Sequence, residues 1–312
     1  MIVSASRRTD IPAFYGEWLL RRLAAGEVLV RNPMNAHDIS RLPLAPETVS
    51  CLVLWSKNPA PLLPRLDEME MLGYKNFYFL FTLNAYGPEV ETTLPPLAQR
   101  IETFRSLADR LGCARVLWRY DPIFFSRRYT IEFHLHRFAE LATALTGATE
   151  RVIVSFVEMY RKCQIAMASL SPEEHAADER AALLLRLADI ADRRGITLQG
   201  CAMGDETAAV VPAGSCINEK LITRISGRHL APRRDRSQRR NCRCTTSIDI
   251  GAYDSCPHGC RYCYATRDSG RAARNFAGHD PASPLLLGKV GPQDIIRERS
   301  LPPAPPRQPR LF

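Results

Sequence analysis

The chain has 312 residues, 46% of them apolar and 24% charged, with a formal net charge of +9. This is ordinary composition for one large domain, or one domain with a small appendage. No run reaches the roughly 20 uncharged apolar residues that span a bilayer, and Met1–Arg8 lacks the charged-then-apolar layout of a signal peptide, so a cytoplasmic location is expected.

In chain order, Ile2–Ser6 reads as a strand, followed by an amphipathic helix around Tyr15–Ala25. Val28–Arg31 is short and extended, and Cys51–Trp55 is a buried-looking strand with a helix near Ala60–Leu72. Asn76–Leu83 is a strand rich in Phe and Tyr, followed by a helix over Leu97–Leu111. Arg115–Tyr120 and Arg151–Val157 are further strands, each followed by a helix, over Thr130–Leu145 and Pro172–Arg194. Thr197–Cys201 is a strand again. The strands are apolar throughout rather than alternating, as in parallel strands covered by helices. The repeat predicts an α/β fold, a TIM-type or partial (β/α) barrel.

Beyond Gly204 the pattern breaks into loops around a short helix near Asn218–Ile225, and Ser247–Gly251 reads as one more strand. After Arg267 the chain reads as loop. The expected organisation is a barrel body over 1–203, a cysteine-rich cluster-binding region completing the barrel over 204–300, and a disordered tail over 301–312, which holds five prolines.

Polar residues follow several strands: Arg7, Arg8 and Asp10; Asn32 and Asn35; Lys57 and Asn58; Thr82, Asn84 and Tyr86; Arg119 and Asp121; Glu158 and Tyr160. In a barrel all would line the C-terminal mouth, where such folds keep their sites. Arg119 and Asp121 are the first candidates for catalysis or substrate contact, with Asp10 and Lys57 next. Of seven histidines, none falls on the predicted mouth, which ranks a metal-dependent nuclease low. His134 and His136, two apart in a helix, would not share a face.

Ten cysteines in a cytoplasmic chain do not suggest a disulfide framework. Cys51, Cys113 and Cys163 are isolated and read as small buried thiols. The other seven lie in the last third, which favours metal. Cys256, Cys260 and Cys263 form C-x3-C-x2-C on a loop leaving a strand. Three thiolates on an iron–sulfur cube leave one iron open, as a catalytic centre needs. Zinc held by Cys256, His258, Cys260 and Cys263 is the alternative. Cys201, Cys216, Cys242 and Cys244 supply the number for a closed site, either structural zinc or an auxiliary [4Fe–4S] cluster.

C-x3-C-x-aromatic-C, with Tyr262 as the aromatic, resembles the signature of radical S-adenosylmethionine enzymes. The resemblance implies a [4Fe–4S] cluster on Cys256, Cys260 and Cys263, S-adenosylmethionine on the open iron with Tyr262 beside it, a 5′-deoxyadenosyl radical, and an electron donor as partner. Asn58 and Asn84 are further candidates for cofactor contact. In that superfamily the motif follows the first strand; here it comes late, which implies a circularly permuted barrel. The whole chain resembles the domain-of-unknown-function family 1848 through Ser6–Pro12, Trp55–Pro59, Trp118–Pro122 and Ser247–Gly251. Some relatives resemble spore photoproduct lyase, a DNA-repair radical enzyme.

Charge is uneven. From Glu219 to Phe312 there are 18 Lys and Arg against 8 Asp and Glu, a net of +10, which leaves −1 for the first 218 residues. A basic surface suits nucleic acid; a plain solvated face is the other reading. The last residues, Gln308 to Phe312, resemble the bacterial sliding-clamp-binding peptide through Gln308, Leu311 and Phe312, with Pro309 as a departure. The expected function is a radical enzyme acting on DNA, in repair or modification. The alternatives are the same chemistry on a small molecule or peptide, and a zinc-stabilised nucleic-acid-binding protein.

Overall fold

A computed structural model describes residues 1–204, 210–228 and 233–299. Gln308, Leu311 and Phe312, and the tail as a whole, lie outside the described residues.

Ten strands and nine α-helices follow one another in the described residues. The strands are β1 (Ile2–Ala5), β2 (Glu27–Arg31), β3 (Asp38–Pro43), β4 (Cys51–Ser56), β5 (Phe77–Thr82), β6 (Val116–Ile123), β7 (Arg151–Phe156), β8 (Thr197–Gly200), β9 (Ile248–Asp249) and β10 (Ile295–Glu298). The helices are α1 (Ile11–Phe14), α2 (Gly16–Ala25), α3 (Leu66–Met71), α4 (Leu97–Leu111), α5 (Ile131–Ala144), α6 (Arg161–Met167), α7 (Ala177–Asp192), α8 (Glu219–Ser226) and α9 (Ser269–Ala277).

Seven strands form one sheet in the order β8-β7-β6-β5-β4-β1-β9, every neighbouring pair parallel. The fold is therefore α/β with a parallel central sheet flanked by helices. β4 and β5 are buried at every position, as strands covered on both faces must be. One face carries Val3, Leu52, Leu54, Phe77, Phe79, Trp118 and Val154, packed with residues of the surrounding helices such as Trp18, Phe104, Phe138 and Leu184. The other carries Ile2, Cys51, Val53, Trp55, Tyr78, Leu80, Leu117 and Ile153, packed against the crossing segment between β8 and β9, including Leu221 and Ile222 of α8.

Local chemistry explains the helix ends. Gly26 takes the left-handed conformation that stops α2, with φ +69° and its N–H on the Leu23 carbonyl. Thr130 caps α5 by accepting the Phe133 N–H.

Four expectations change. Val28–Arg31 is not a central strand: β2 pairs antiparallel with β3 in a separate sheet that also holds β10. Asn32 and Asn35 consequently leave the mouth, and accept the N–H groups of Met34 and His37 in the hairpin connection. The helix expected over Ala60–Leu72 is a 3₁₀ turn at Leu63–Arg65 followed by the short α3, because Pro59, Pro61 and Pro64 interrupt it. The helix expected from Pro172 begins only at Ala177. The stretch after Arg267 holds α9 and β10.

Candidate functional site

β9 is two residues long, and its side chains do what its ladder cannot. Asp249 accepts from Ser4 Oγ at 3.0 Å, Ser6 Oγ at 2.7 Å, Arg7 N at 2.7 Å, Arg8 Nε at 3.1 Å and Gly251 N at 3.0 Å. The carboxylate ties the segment after β1 to the strand that leads into the cysteine loop. Gly251 is needed because a Cβ there would stand 2.0 Å from Ser6 Oγ.

The loop is held on both flanks. Thr9 Oγ1 donates to the Ala252 carbonyl and shares a hydrogen bond with Ser255 Oγ at 2.6 Å, while Tyr15 Oη donates to the Ser255 carbonyl. On the other flank Thr92 Oγ1 donates to the Gly259 carbonyl, Thr93 N to the His258 carbonyl, and Arg261 N to the Val90 carbonyl. Cys256, Cys260 and Cys263 are half-buried free thiols. Burial, with Asp10 and Cys263 adding to it, pushes the Cys256 thiol up to about 12. Burial also pushes Cys260 well up against the opposing pull of Lys57, with Glu91, Cys263 and Cys256 adding to the rise.

Below the loop lies a polar knot centred on Glu91, 3% exposed. Lys57 Nζ donates to Glu91 Oε1 and to Tyr262 Oη, both at 2.7 Å. Tyr262 Oη donates to Glu91, and Arg100 reaches its other oxygen at 3.3 Å. Asn84 Nδ2 lies 3.2 Å from Tyr262 Oη and donates to the Asp121 carbonyl, while Asn84 Oδ1 accepts Asp121 N–H. Burial pushes the Glu91 carboxyl up, but the Lys57 and Arg100 charges more than offset it and hold it below the usual range. Burial, then Glu91 and Cys260, push the Tyr262 phenol well up, so it stays protonated.

Lys57, Asn84 and Tyr262 are thus brought together. Asn58 enters through its backbone N–H, on Ser56 Oγ. Asp10 accepts from Ala13 N, Ser56 Oγ, Lys57 N and His258 Nε2, and is saturated. It is a positioning group that fixes the cysteine loop through His258. His258 spends Nε2 on Asp10, and its Nδ1 is buried without a partner, so a zinc set containing His258 would have to use Nδ1.

Arg119 and Asp121 form an ion pair on β6, with Arg119 also on Thr82 Oγ1 and Ser155 Oγ donating to Asp121. Burial lowers the Arg119 pKa, but Asp121 and the thiols of Cys216 and Cys201 outweigh it and raise it. Arg7 and Arg119 both stack on Trp55, at 5.4 and 4.9 Å from its ring centre. Cys163 is a buried thiol, as expected, and α6 brings its Sγ to 3.3 Å from the Tyr262 carbonyl. Glu91 and Asp249 were not singled out from the sequence. Only the tertiary structure gives these two acids their partners.

Cys201, Cys216, Cys242 and Cys244 are buried free thiols gathered on the second face of the sheet. Cys201 and Cys216 lie 3.8 Å apart at sulfur, and Cys244 contacts both Cys216 and Cys242. Among the described residues no group of three or more His, Cys, Asp and Glu side chains stands as a ready-made ion cage.

Two clefts open beside this region. One, of about 540 Å³, is lined by Ser155, Glu158, Arg180, Cys201, Arg239 and Arg240. The other, of about 670 Å³, includes Lys220, Arg234, Arg240 and Arg243. No helix among the described residues is long and apolar enough to cross a membrane.

Fold and site together define an α/β protein with a parallel sheet, a three-thiol loop over the C-terminal strand ends and a second thiol set on one sheet face. Residues 2–265 match the family described as Domain of unknown function (DUF1848), and the chain belongs to it. The matched span takes in both cysteine sets. No curated protein matches the chain.

Proposed function

We propose that this chain is a radical S-adenosylmethionine enzyme, with a [4Fe–4S] cluster on Cys256, Cys260 and Cys263, that acts on DNA in repair or modification. The carrying observation is the three-thiol loop itself: it leaves a parallel strand, is clamped on both flanks, and has Tyr262, Lys57, Asn84 and Glu91 knotted beneath it. The donor set fits the group, since three soft thiols on one short loop suit iron–sulfur and leave a fourth iron for a ligand. When bound, the cluster with S-adenosylmethionine supplies one-electron cleavage of a C–S bond and a 5′-deoxyadenosyl radical that takes hydrogen from substrate.

The protein's own contribution is positional. Lys57 and Glu91 fix the Tyr262 ring by holding its hydroxyl, and so fix one wall of the cofactor site. Arg119, Asp121 and Ser155 present a hydrogen-bonded polar array at the ends of β6 and β7. The strand order supports a partial (β/α) barrel read in permuted order. β9, carrying the cluster loop, stands beside β1, where an unpermuted chain would have its first strand.

The basic clefts support a polyanionic substrate, because Arg180, Arg239, Arg240 and Arg243 line them. Their volumes also fall in the range of small-ligand sites, which keeps a small molecule or peptide as the second reading. Anaerobic reconstitution tests the chemistry: about four irons on the three-thiol loop and 5′-deoxyadenosine on reduction are expected. A protein that takes up no iron and yields no 5′-deoxyadenosine overturns it. For the substrate, DNA affinity should fall steeply with salt and weaken in Arg239→Gln/Arg240→Gln; salt-insensitive binding would favour the second reading. In the same assays, DNA affinity without iron uptake would favour the zinc-stabilised nucleic-acid-binding alternative.

A further inference from the structure

We propose that Cys201, Cys216, Cys242 and Cys244 hold a single tetrahedral zinc ion that fastens the segment crossing the sheet's second face. This goes beyond the reading above and does not depend on it.

The spacing of the sulfurs selects the kind of metal. Four thiolates on one ion with bonds of about 2.3 Å form a tetrahedron whose edges are about 3.8 Å. The Cys201 and Cys216 sulfurs lie 3.8 Å apart. An iron–sulfur cube puts each cysteine on its own iron, at separate corners, and holds those sulfurs well out of contact. Cys244 touches Cys216 on one side and Cys242 on the other, so three edges of the tetrahedron are already in contact. One ion takes all four sulfurs as its ligands.

The surroundings supply what a bound tetrathiolate needs. The Ile217 N–H points at Cys244 Sγ at 3.4 Å, a backbone donor to a ligand sulfur. Four thiolates and a divalent ion carry a net charge of −2, and that charge must be offset where it is buried. Arg7 faces Cys244 and Cys216, and Arg119 faces Cys216 and Cys201. Each keeps a buried N–H nitrogen with no hydrogen-bond partner: NH2 of Arg7, which has the Asp235 carboxylate at 4.0 Å, and Nε of Arg119. Trp55 Nε1, on an indole 8% exposed that is stacked between the two guanidiniums, is a third such donor. Two guanidiniums facing the sulfurs, with three buried N–H groups among them and Trp55 that lack hydrogen-bond partners, suit an electron-rich centre.

The site also has a structural task. Of the described residues between β8 and β9, only α8 is a regular element. The segment is otherwise tied by scattered single hydrogen bonds, such as Gly214 N to the Gly200 carbonyl, Thr245 N to the Ile217 carbonyl, Asp235 N to the Cys244 carbonyl and Asn241 Nδ2 to the Met203 carbonyl. The four cysteines come from both ends of this segment, and one ion joins them. The same ion fixes the loop bearing Arg234, whose Nε donates to the Cys242 carbonyl. Binding is not a redox step: one Zn²⁺ enters, and the protons still on the thiols leave to solvent.

The test uses the full chain with Cys256→Ala, Cys260→Ala and Cys263→Ala combined, purified in air, so that the first thiol set cannot contribute. Elemental analysis should find about one zinc per chain and no iron or acid-labile sulfide. Adding Cys244→Ser should reduce zinc to near zero. Should that variant fail to fold, titration of the parent with a mercurial thiol reagent should release the zinc stoichiometrically. Cobalt exchanged into the parent should show the bands of a tetrahedral thiolate site. Iron with sulfide on Cys201, Cys216, Cys242 and Cys244, or a folded protein with neither metal, overturns the proposal. Failure of the radical chemistry would leave the zinc result untouched.

Discussion

Replacing Asp249 with Ala removes one carboxylate that accepts five hydrogen bonds, from Ser4, Ser6, the Arg7 and Gly251 amides and Arg8. The group is 14% exposed and paired with Arg8, itself 13% exposed, so water cannot freely take its place. Removing one partner of such a buried set costs about 3–5 kcal/mol, a large share of the 5–15 kcal/mol by which domains are stable. β9 has only two residues paired with β1, Ile248 with Val3 and Asp249 with Ser4, so its ladder cannot compensate. Urea denaturation should therefore show a loss of about 3–5 kcal/mol, and iron loading on the three-thiol loop should fall with it. Asp249→Asn, which keeps the shape but turns a donor toward donors, should fall between wild type and Ala. An Ala variant within about 1 kcal/mol of wild type that still loads iron fully would refute the reasoning.

Three other outcomes follow from the same geometry. Gly251→Ala should destabilise strongly, because its methyl would meet Ser6 Oγ at 2.0 Å and Thr9 Oγ1 at 2.8 Å, and unchanged melting would contradict that packing. Lys57→Met should cost about 3 kcal/mol by leaving Glu91 without its nearest cation, and adding Glu91→Gln should restore part of it in a double-mutant cycle. His134 donates from Nε2 to the Phe124 carbonyl, which leaves Nδ1 to accept from Tyr120, and burial pushes it down to about 4. The unfolded group titrates near 6.5, so its contribution is complete above about that pH. About 3 kcal/mol is then lost as pH falls toward 4. His134→Gln should flatten the melting curve against pH over that window, and an unaltered slope would count against the assignment.

The sequence made the sheet legible because its strands are buried on both faces. Runs such as Cys51–Ser56 and Phe77–Thr82 leave no other arrangement open. It misled at Val28–Arg31, since a short apolar run does not reveal whether its partner is parallel or antiparallel, and β3, with Asp38, Ser40 and Arg41, has no apolar run of its own. The cysteine loop was legible from spacing alone. Its supports were not: Glu91 and Asp249 acquire meaning only when residues 91 and 262, or 6 and 249, come into contact. The same holds for Asp10, which looks like a mouth acid in the sequence and becomes a saturated tether in the structure.

The two cysteine sets are held by different physics, which makes their independence testable at one residue. The three-thiol loop hangs on hydrogen bonds to residues 6–10 and 90–93, whereas the four-thiol set is packed into an apolar face with Ile2, Val53 and Tyr78. Arg7 touches both. Its backbone N–H holds Asp249, and its side chain lies against Trp55, facing the sulfurs of Cys244 and Cys216. Arg7→Ala removes the second role and keeps the first, because the amide remains. It should weaken zinc retention against a chelator while iron loading on Cys256, Cys260 and Cys263 persists. Asp249→Ala should do the reverse, releasing the loop from β1 and leaving the apolar face intact. If each variant lost both metals to the same degree, the two sites would be one cooperative unit and the division argued from their contacts would fail.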